Sequence, residues 1–558
     1  MALSPARKRP SVSDASAQVR SRTAIAILCF LVVYAVIGGR LVQYGMTKVD
    51  TASRYAATDR SLASRPDIVD RNGDVLATDI RVASLYGEPR RIVDADEAVE
   101  ALSSVLPDVD YKEWHRKLSS GAGFVWLRRE LTPRQQADVL ALGIPGIGFR
   151  TEKRRFYPGG AVASHILGLV NIDNAGIAGL EKYIDDQGLG TLQDLGLDVG
   201  TELAPVKLSV DGRVQHIVHD VLTDGMELYQ AIAAGGVVLN IKTGEVVAMV
   251  SLPDYDPNNP FNALDKDRLN RMSAGTFEMG STFKSFTTAM ALDSGVVKIT
   301  DRIDTTPFRV AGYTIKEFHN KGSSLTVPEI FKYSSNVGSA READMVGVQG
   351  HKEFLTRLGL LSRLNTELPE VATPTQPHEW KKINSMTISF GHGVATTPLN
   401  TAVAAAALMN GGWLIPPTFL PRSEDAAQEL AKRVVSEQTS EYMRELYDLN
   451  GEHGSGRQAL VEGYGVGGKT GTAEKVVNGR YVGDKRFNAY VAAFPIDNPK
   501  YVVLVIVDEP KPVPGSGQGA TAASNAAPMT GAIIARAAPL LGLTPEFGHG
   551  DDALLVSY

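Results

Sequence analysis

The sequence predicts an α/β chain of the α+β kind, in which an antiparallel sheet is assembled from the two ends of a large domain and a helical block is inserted between them. Three observations predict it. "GGVVLNIKTGEVVAMVSLP" (235–253) reads as two β-branched strands joined by a Lys242-Thr243-Gly244 turn. "NAYVAAFPI" (488–496) and "YVVLVIVDE" (501–509) read as two more, joined by a short Asp-Asn-Pro connection, and helical patterns fill the interval between the pairs. Ahead of this domain, residues of roughly 55–205 mix short strand-like runs with Gly- and Pro-rich turns, as a separate mixed α/β domain would.

In chain order, residues 1–22 are rich in Ser, Ala and basic side chains without hydrophobic periodicity and read as a short disordered tail. "TAIAILCFLVVYAVIGG" (23–39) then carries no charge over 17 residues. Leu41, Val42 and Tyr44 extend it past Arg40, whose side chain can snorkel, so 23–44 is expected to be a single transmembrane helix. No A-x-A cleavage site follows, which favours a retained anchor over a cleaved signal peptide. Arg7, Lys8, Arg9, Arg20 and Arg22 precede the run against Asp14 alone, so the tail is expected in the cytoplasm and everything from about residue 45 beyond the cytoplasmic (inner) membrane, in the periplasm. In the next region Asn72-Gly73, within "DIVDRNGDVLATD", signals a hairpin. A boundary is expected near 204–215, placing one domain at 55–205 and a larger one at 206–545. Within the larger domain a loop, "PVPGSGQGA" (512–520), precedes a small-residue helix at about 524–541, and 546–558 forms a tail.

Composition narrows the function classes. A chain of 558 residues with 43% hydrophobic and 22% charged side chains is folded, multidomain material. Its net charge of -6 argues against a nucleic-acid partner. Cys29 is the single cysteine and sits in the apolar run, so neither an intrachain disulfide nor a cysteine-based metal site can form; no metal or other cofactor is expected.

The candidate chemistry begins at "EMGSTFKSFTTAMALDSG" (278–295). Phe283, Phe286, Thr287, Met290 and Ala291 recur as one buried helix face and Gly295 marks a stop, while Ser281 and Lys284 share another face. At this spacing a lysine whose pKa is lowered by burial can take the serine's proton. This S-x-x-K occurs once in the chain. Ser334-Ser335-Asn336 follows 53 residues after Ser281, and Lys469-Thr470-Gly471-Thr472 lies 135 residues beyond Ser334. The earlier Lys242-Thr243-Gly244 precedes the nucleophile at a hairpin turn, where Thr-Gly is ordinary turn chemistry.

These three motifs in this order resemble the signature of serine acyltransferases that bind penicillin. "AMVSLPDYDPNNP" (248–260) and "SFGHGVATTPLN" (389–400) look like further landmarks of class B penicillin-binding proteins. The segments 67–79 and "RRFYPGGAVASHILGLVNIDNAGIAGLE" (154–181) look like that family's N-terminal pedestal, or dimerisation-type, domain. Two departures stand out: Pro66 after Arg65, where the family usually has glycine, and His392, where tyrosine is common and a hydrogen-bonded structural histidine is the expected role.

The resemblance implies the penicillin-recognising fold, with helices on both sides of the sheet, and acyl transfer from a D-Ala-D-Ala stem peptide to a neighbouring stem-peptide amine, with β-lactams as inhibitors. It implies Ser281 as nucleophile, Lys284 as general base, Lys469 as the second cation, Ser334 as proton relay and Asn336 as holder of the donor peptide amide. Thr470, Gly471 and Thr472 would bind the terminal carboxylate, and the backbone N–H groups of Ser281 and Thr472 would form the oxyanion hole. The compact pedestal looks like the septal, cell-division type, whose partners are other division proteins and an integral-membrane glycosyltransferase, since no polymerising domain is present here. An elongation-type enzyme shares all these motifs, and a non-catalytic division scaffold is the alternative from another class. A class A β-lactamase would need an E-x-x-L-N segment, which is absent; Glu370 in "LPEVATP" lacks the asparagine.

Overall fold

The computed structural model describes residues 65–189, 203–318, 321–477, 479–516 and 519–547, together with 30–32, 34, 35, 37 and 38. The chain divides into two units, 1–60 and 61–558. In the first, the described residues are helical and the side chains of Phe30, Leu31, Val32, Tyr34 and Ile37 are exposed. The expected 23–44 span otherwise lies outside the described residues, among which no helix is long and apolar enough to cross a membrane.

The second unit opens with a small mixed sheet. Its strands are β1 (Ile68–Val69), β2 (Val75–Gly87), β3 (Val125–Leu131), β4 (Ile147–Phe156) and β5 (Val206–Lys207), in the order β3-β2-β1-β5 with β4 also paired to β2. The Asn-Gly hairpin forms where expected: Gly73 takes φ +97°, and the Asp70 carboxylate accepts from the backbone N–H groups of Asn72 and Asp74 at 2.7 and 2.9 Å. Helices α1 (Ala95–Val105), α2 (Tyr111–Leu118) and α3 (Pro133–Ala141) close a local core of Val99, Leu102, Trp114, Leu118, Leu127 and Val139. The two N-terminal landmark segments converge on buried charge. Glu181 accepts from Arg155 Nε at 2.6 Å and Arg65 Nε at 2.8 Å, and Asp79 accepts from Arg155 at 3.2 Å. The carbonyl of Pro66, the departure noted above, accepts from Arg155 Nη2 at 2.9 Å.

The larger sheet has the order β8-β9-β10-β6-β7 and is antiparallel throughout, built from β6 (Ala233–Asn240), β7 (Val246–Leu252), β8 (Gly467–Val477), β9 (Arg480–Phe494) and β10 (Tyr501–Asp508). The ends of the domain meet in the middle of this sheet, as β10 pairs with β6. Strand β10 shows why: every residue in it is buried, and the period of two sends Val502, Leu504 and Ile506 into one core and Val503, Val505 and Val507 into the other. At roughly 1.5–3 kcal/mol per fully buried aliphatic side chain, such a strand is stable only with helices on both faces. One face is covered by α4 (Gly212–Leu228) and α12 (Ala526–Ala537), the small-residue helix expected at 524–541.

The inserted block supplies the other face. It includes α5 (Lys284–Asp293), α6 (Val327–Tyr333), α7 (Asn336–Val346), α8 (Val348–Arg357), α9 (Lys382–Ile388), α10 (Pro398–Met409) and α11 (Glu437–His453), with a further short helix at Glu424–Leu430. Here the one-face reading of the nucleophile helix is corrected. Ser281 lies in a 3-10 turn, Gly280–Phe283, and every residue from Lys284 to Ala291 is buried. With α7, α10 and α11 packed around it, α5 has no solvent face, so Lys284 is buried with the apolar side chains.

Candidate active site

Each functional side chain is placed by a different element. Ser281 rides on the 3-10 turn, Lys284 opens α5, Ser334 ends α6, Asn336 opens α7 and Lys469 lies on β8, an edge strand with one side unpaired in the sheet. Ser334 takes the left-handed conformation, φ 56° and ψ 49°, which an L-residue adopts at some cost and which here turns the chain sharply from α6 into α7. Its carbonyl and hydroxyl are thereby aimed at the same amine. Lys284 Nζ lies 2.5 Å from Ser334 O, 3.0 Å from Ser334 Oγ and 2.7 Å from Asn336 Oδ1. Lys469 Nζ donates to the same Ser334 Oγ at 3.0 Å and sits 5.7 Å from the centre of the Phe331 ring.

A single hydroxyl thus bridges two lysines. Both amines are almost completely buried, and neither forms an ion pair among the described residues. Burial disfavours the charged amine in each case. It pulls Lys469 down to about 7; Lys284 lies well below the ordinary lysine range, first through burial and second through the charge of Lys469, with Glu317 and Glu342 pulling the other way. A neutral Lys284 has a lone pair for a proton, and its contact with Ser334 Oγ can run in either direction as that proton comes and goes.

The backbone around Ser281 is held against β8. A Cβ on Gly471 would stand 2.3 Å from the Met279 carbonyl oxygen, so only glycine lets the turn approach the strand this closely. That approach brings the backbone of residue 472 beside the turn that carries Ser281. Thr470 Oγ1 is 2.6 Å from Ser455 Oγ, and Thr472 Oγ1 accepts from the N–H of Ala522 at 3.1 Å.

Sequence reasoning missed several supporting residues. Glu317 accepts from the Ser335 hydroxyl and from the N–H groups of Asn336 and Val337 at 2.9 and 3.3 Å, an anion at the N-terminus of α7 that fixes the start of the helix carrying Asn336. Glu278 binds His392 Nδ1 at 3.0 Å, the Gly393 N–H at 2.7 Å and the Tyr481 hydroxyl at 3.2 Å, tying the segment before the nucleophile to the tip of the β8–β9 hairpin. His392 stacks edge-on to Tyr481 at 5.4 Å, which gives it hydrogen-bond and packing partners. No local signal marks these contacts, because each joins segments far apart in sequence. Among the described residues no cluster of three metal-ligating side chains occurs.

Residues 234–535 match the penicillin-binding protein transpeptidase domain and residues 60–191 the penicillin-binding protein dimerisation domain. The chain is 39% identical over 490 residues to a probable peptidoglycan D,D-transpeptidase FtsI of Caulobacter vibrioides, covering 86% of this chain and 82% of that one. The chain belongs to the class B penicillin-binding proteins of the FtsI type. Peptidoglycan D,D-transpeptidase FtsI of Escherichia coli K12 is 28% identical, with 94% of this chain and 92% of that one covered. A crystal structure of a peptidoglycan synthetase from Bifidobacterium adolescentis shares the fold, with a TM-score of 0.66 at 22% identity over 88% of this chain and 97% of that one.

In this penicillin-binding protein, one landmark residue and one residue outside the landmarks dock the pedestal. Asn258, in 248–260, accepts from the Tyr157 N–H at 2.9 Å and donates to its carbonyl at 3.0 Å. Glu370, weighed above as a deacylating glutamate, accepts from the pedestal's Gly179 N–H at 3.2 Å.

Proposed function

We propose that this chain is the septal peptidoglycan D,D-transpeptidase of its cell, crosslinking stem peptides through a serine acyl-enzyme and inhibited by β-lactams at the same serine. The observation that carries the reading is Ser334 Oγ, 3.0 Å from both lysine amines beside the Ser281 turn. In this mechanism Lys284 takes the Ser281 proton as Oγ attacks the penultimate D-Ala carbonyl. The oxyanion meets the N–H groups of Ser281 and Thr472, each worth roughly 3–4 kcal/mol in enzymes of comparable chemistry. Ser334 passes the proton on to the leaving D-Ala amine, Asn336 holds the donor amide, and Lys469 with Thr470 and Thr472 holds the terminal carboxylate. A neighbouring stem-peptide amine then takes the acyl group.

The septal assignment is supported by relatives named FtsI, one from Caulobacter vibrioides and one from Escherichia coli. Depletion is expected to give filamentous or branched cells blocked at constriction; rounded cells that still divide would make the elongation role correct instead.

The proposal includes a single-pass anchor at 23–44 in the cytoplasmic membrane, a cytoplasmic tail and a periplasmic catalytic domain, supported by the uncharged run and the basic residues before it. Anchor and pedestal would dock onto an integral-membrane glycosyltransferase and other division proteins. N-terminal sequencing of the mature protein is expected to read from the first residues of the chain, and a start near Gly39 would mean a cleaved signal peptide.

A further inference from the structure

Beneath the reaction centre lies a carboxyl group with no assigned role. Glu342, on α7, is fully buried. Its Oε2 accepts from the Thr288 hydroxyl at 3.1 Å, while Oε1 is equally buried and has no hydrogen-bond partner. Thr288 stands one turn along α5 from Lys284, and α5 and α7 pack against each other, so the carboxyl faces the helix that carries the base. A hydrophobic side chain would fill this position without leaving an oxygen unsatisfied.

The surrounding charges isolate the pair. Lys284 is the charged group whose field reaches Glu342, and Lys284 itself faces Lys469 on β8, Glu317 and Glu342. Several of the other titratable groups on elements packed against α5 and α7 are turned to partners of their own, and the field that reaches Glu342 is that of Lys284. Lys382 pairs with Asp344, Asp304 with Arg341, Arg357 with Asp293 and Glu329 with the Thr326 cap, while Lys332 lies over the Tyr333 ring. His351, buried and held neutral, contacts Ser385, and the Tyr447 hydroxyl donates to Ser285.

We propose that Glu342 is a positioning residue for acyl transfer: held by Thr288 across the α5–α7 contact, its carboxyl stabilises the ammonium that Lys284 becomes on taking the Ser281 proton. The bookkeeping of the step is simple, since the Ser281 O–H bond breaks, a Lys284 N–H bond forms and no other reactant is needed. Burial lifts the carboxyl to about 8, so Glu342 enters the reaction as a neutral acid at neutral pH and as an anion above that range. Its ionisation makes Lys284 the stronger base.

This inference rests on Lys284 acting as base, which alanine replacement of the lysine tests separately. The experiment here is penicillin acylation followed from pH 6 to pH 10 in the full chain, in wild type, Glu342→Gln and Thr288→Val. The ratio of wild-type to Glu342→Gln rate is expected to grow roughly five- to tenfold between pH 7 and pH 9. Thr288→Val removes the one hydrogen bond to the ionised carboxyl and should move the wild-type rise to higher pH. A Glu342→Gln profile parallel to wild type overturns the proposal, even if that variant is less stable. Should Glu342→Gln fail to fold, an unshifted rise in Thr288→Val overturns it alone.

Discussion

Lys284→Ala is expected to lower the rate of penicillin acylation by roughly four orders of magnitude or more while the protein stays folded, the scale seen when one member of a nucleophile–base unit is removed. In wild type the adduct is expected on the peptide that contains Ser281, and Ser281→Ala should abolish it. The fold should tolerate loss of the lysine because its amine is buried against neutral oxygens beside a second lysine, an arrangement that costs stability. The sign of the pH dependence agrees. Lys284 in the folded chain lies well below the value it would have unfolded, so between the two the unfolded chain binds the extra proton and stability rises with pH. Lys469, at about 7 when folded, adds to the same trend up to the ordinary lysine range. Removing the Lys284 amine should therefore flatten the stability–pH curve above neutrality. Intact-mass acylation kinetics and thermal melts at several pH values measure both effects; normal acylation in folded Lys284→Ala would take the lysine out of the mechanism.

The parts of this site that could be read in the sequence are those specified locally. The strands read at 235–253, 488–496 and 501–509 form, although the middle one already begins at Arg480, in a polar stretch with no strand signal, and the first Lys-Thr-Gly, at 242–244, does form a hairpin turn with Gly244 at φ +72°. The order of the three motifs, together with the landmarks, was enough to name the family. What could not be read depends on contacts between distant segments. The helix pattern around Phe283 and Phe286 signals one buried face, and periodicity alone cannot reveal that neighbouring helices cover the others as well. Ser281 sits in a 3-10 turn that lies close against β8 at Gly471, a contact no local pattern announces. Glu317, Glu342 and Glu278 are ordinary surface-type residues in the sequence; tertiary packing alone sets them at the start of α7, under Lys284 and beside His392.

Gly391→Ala is expected to damage both stability and acylation, although residue 391 carries no functional group. Gly391 has φ +92°, and a Cβ built on it would stand 1.9 Å from the carbonyl oxygen of Gly280, the residue immediately before the nucleophile. Gly280 is itself wedged, at φ +53°, with its own Cβ position 2.8 Å from the Thr472 carbonyl oxygen. Three backbone segments are therefore stacked without side chains between them, and a methyl group on the outermost must push the middle one. The middle one carries Ser281, and the segment beneath it carries the N–H of Thr472, so the displacement separates the nucleophile from the proposed oxyanion site. We expect a stability loss of about 2–4 kcal/mol and an acylation rate lower by roughly two to three orders of magnitude. Gly393→Ala separates the two causes. Gly393 has a similar φ of +95°, but its Cβ position meets nothing nearer than 3.7 Å, at Ile388 Cγ1 and Thr387 Oγ1. That variant bears the left-handed strain without the collision, so it should lose about 1–2 kcal/mol and stay within roughly tenfold of the wild-type rate. Equal acylation rates for the two variants would mean that backbone strain, and not the closeness of Gly391 to Gly280, governs how Ser281 is held.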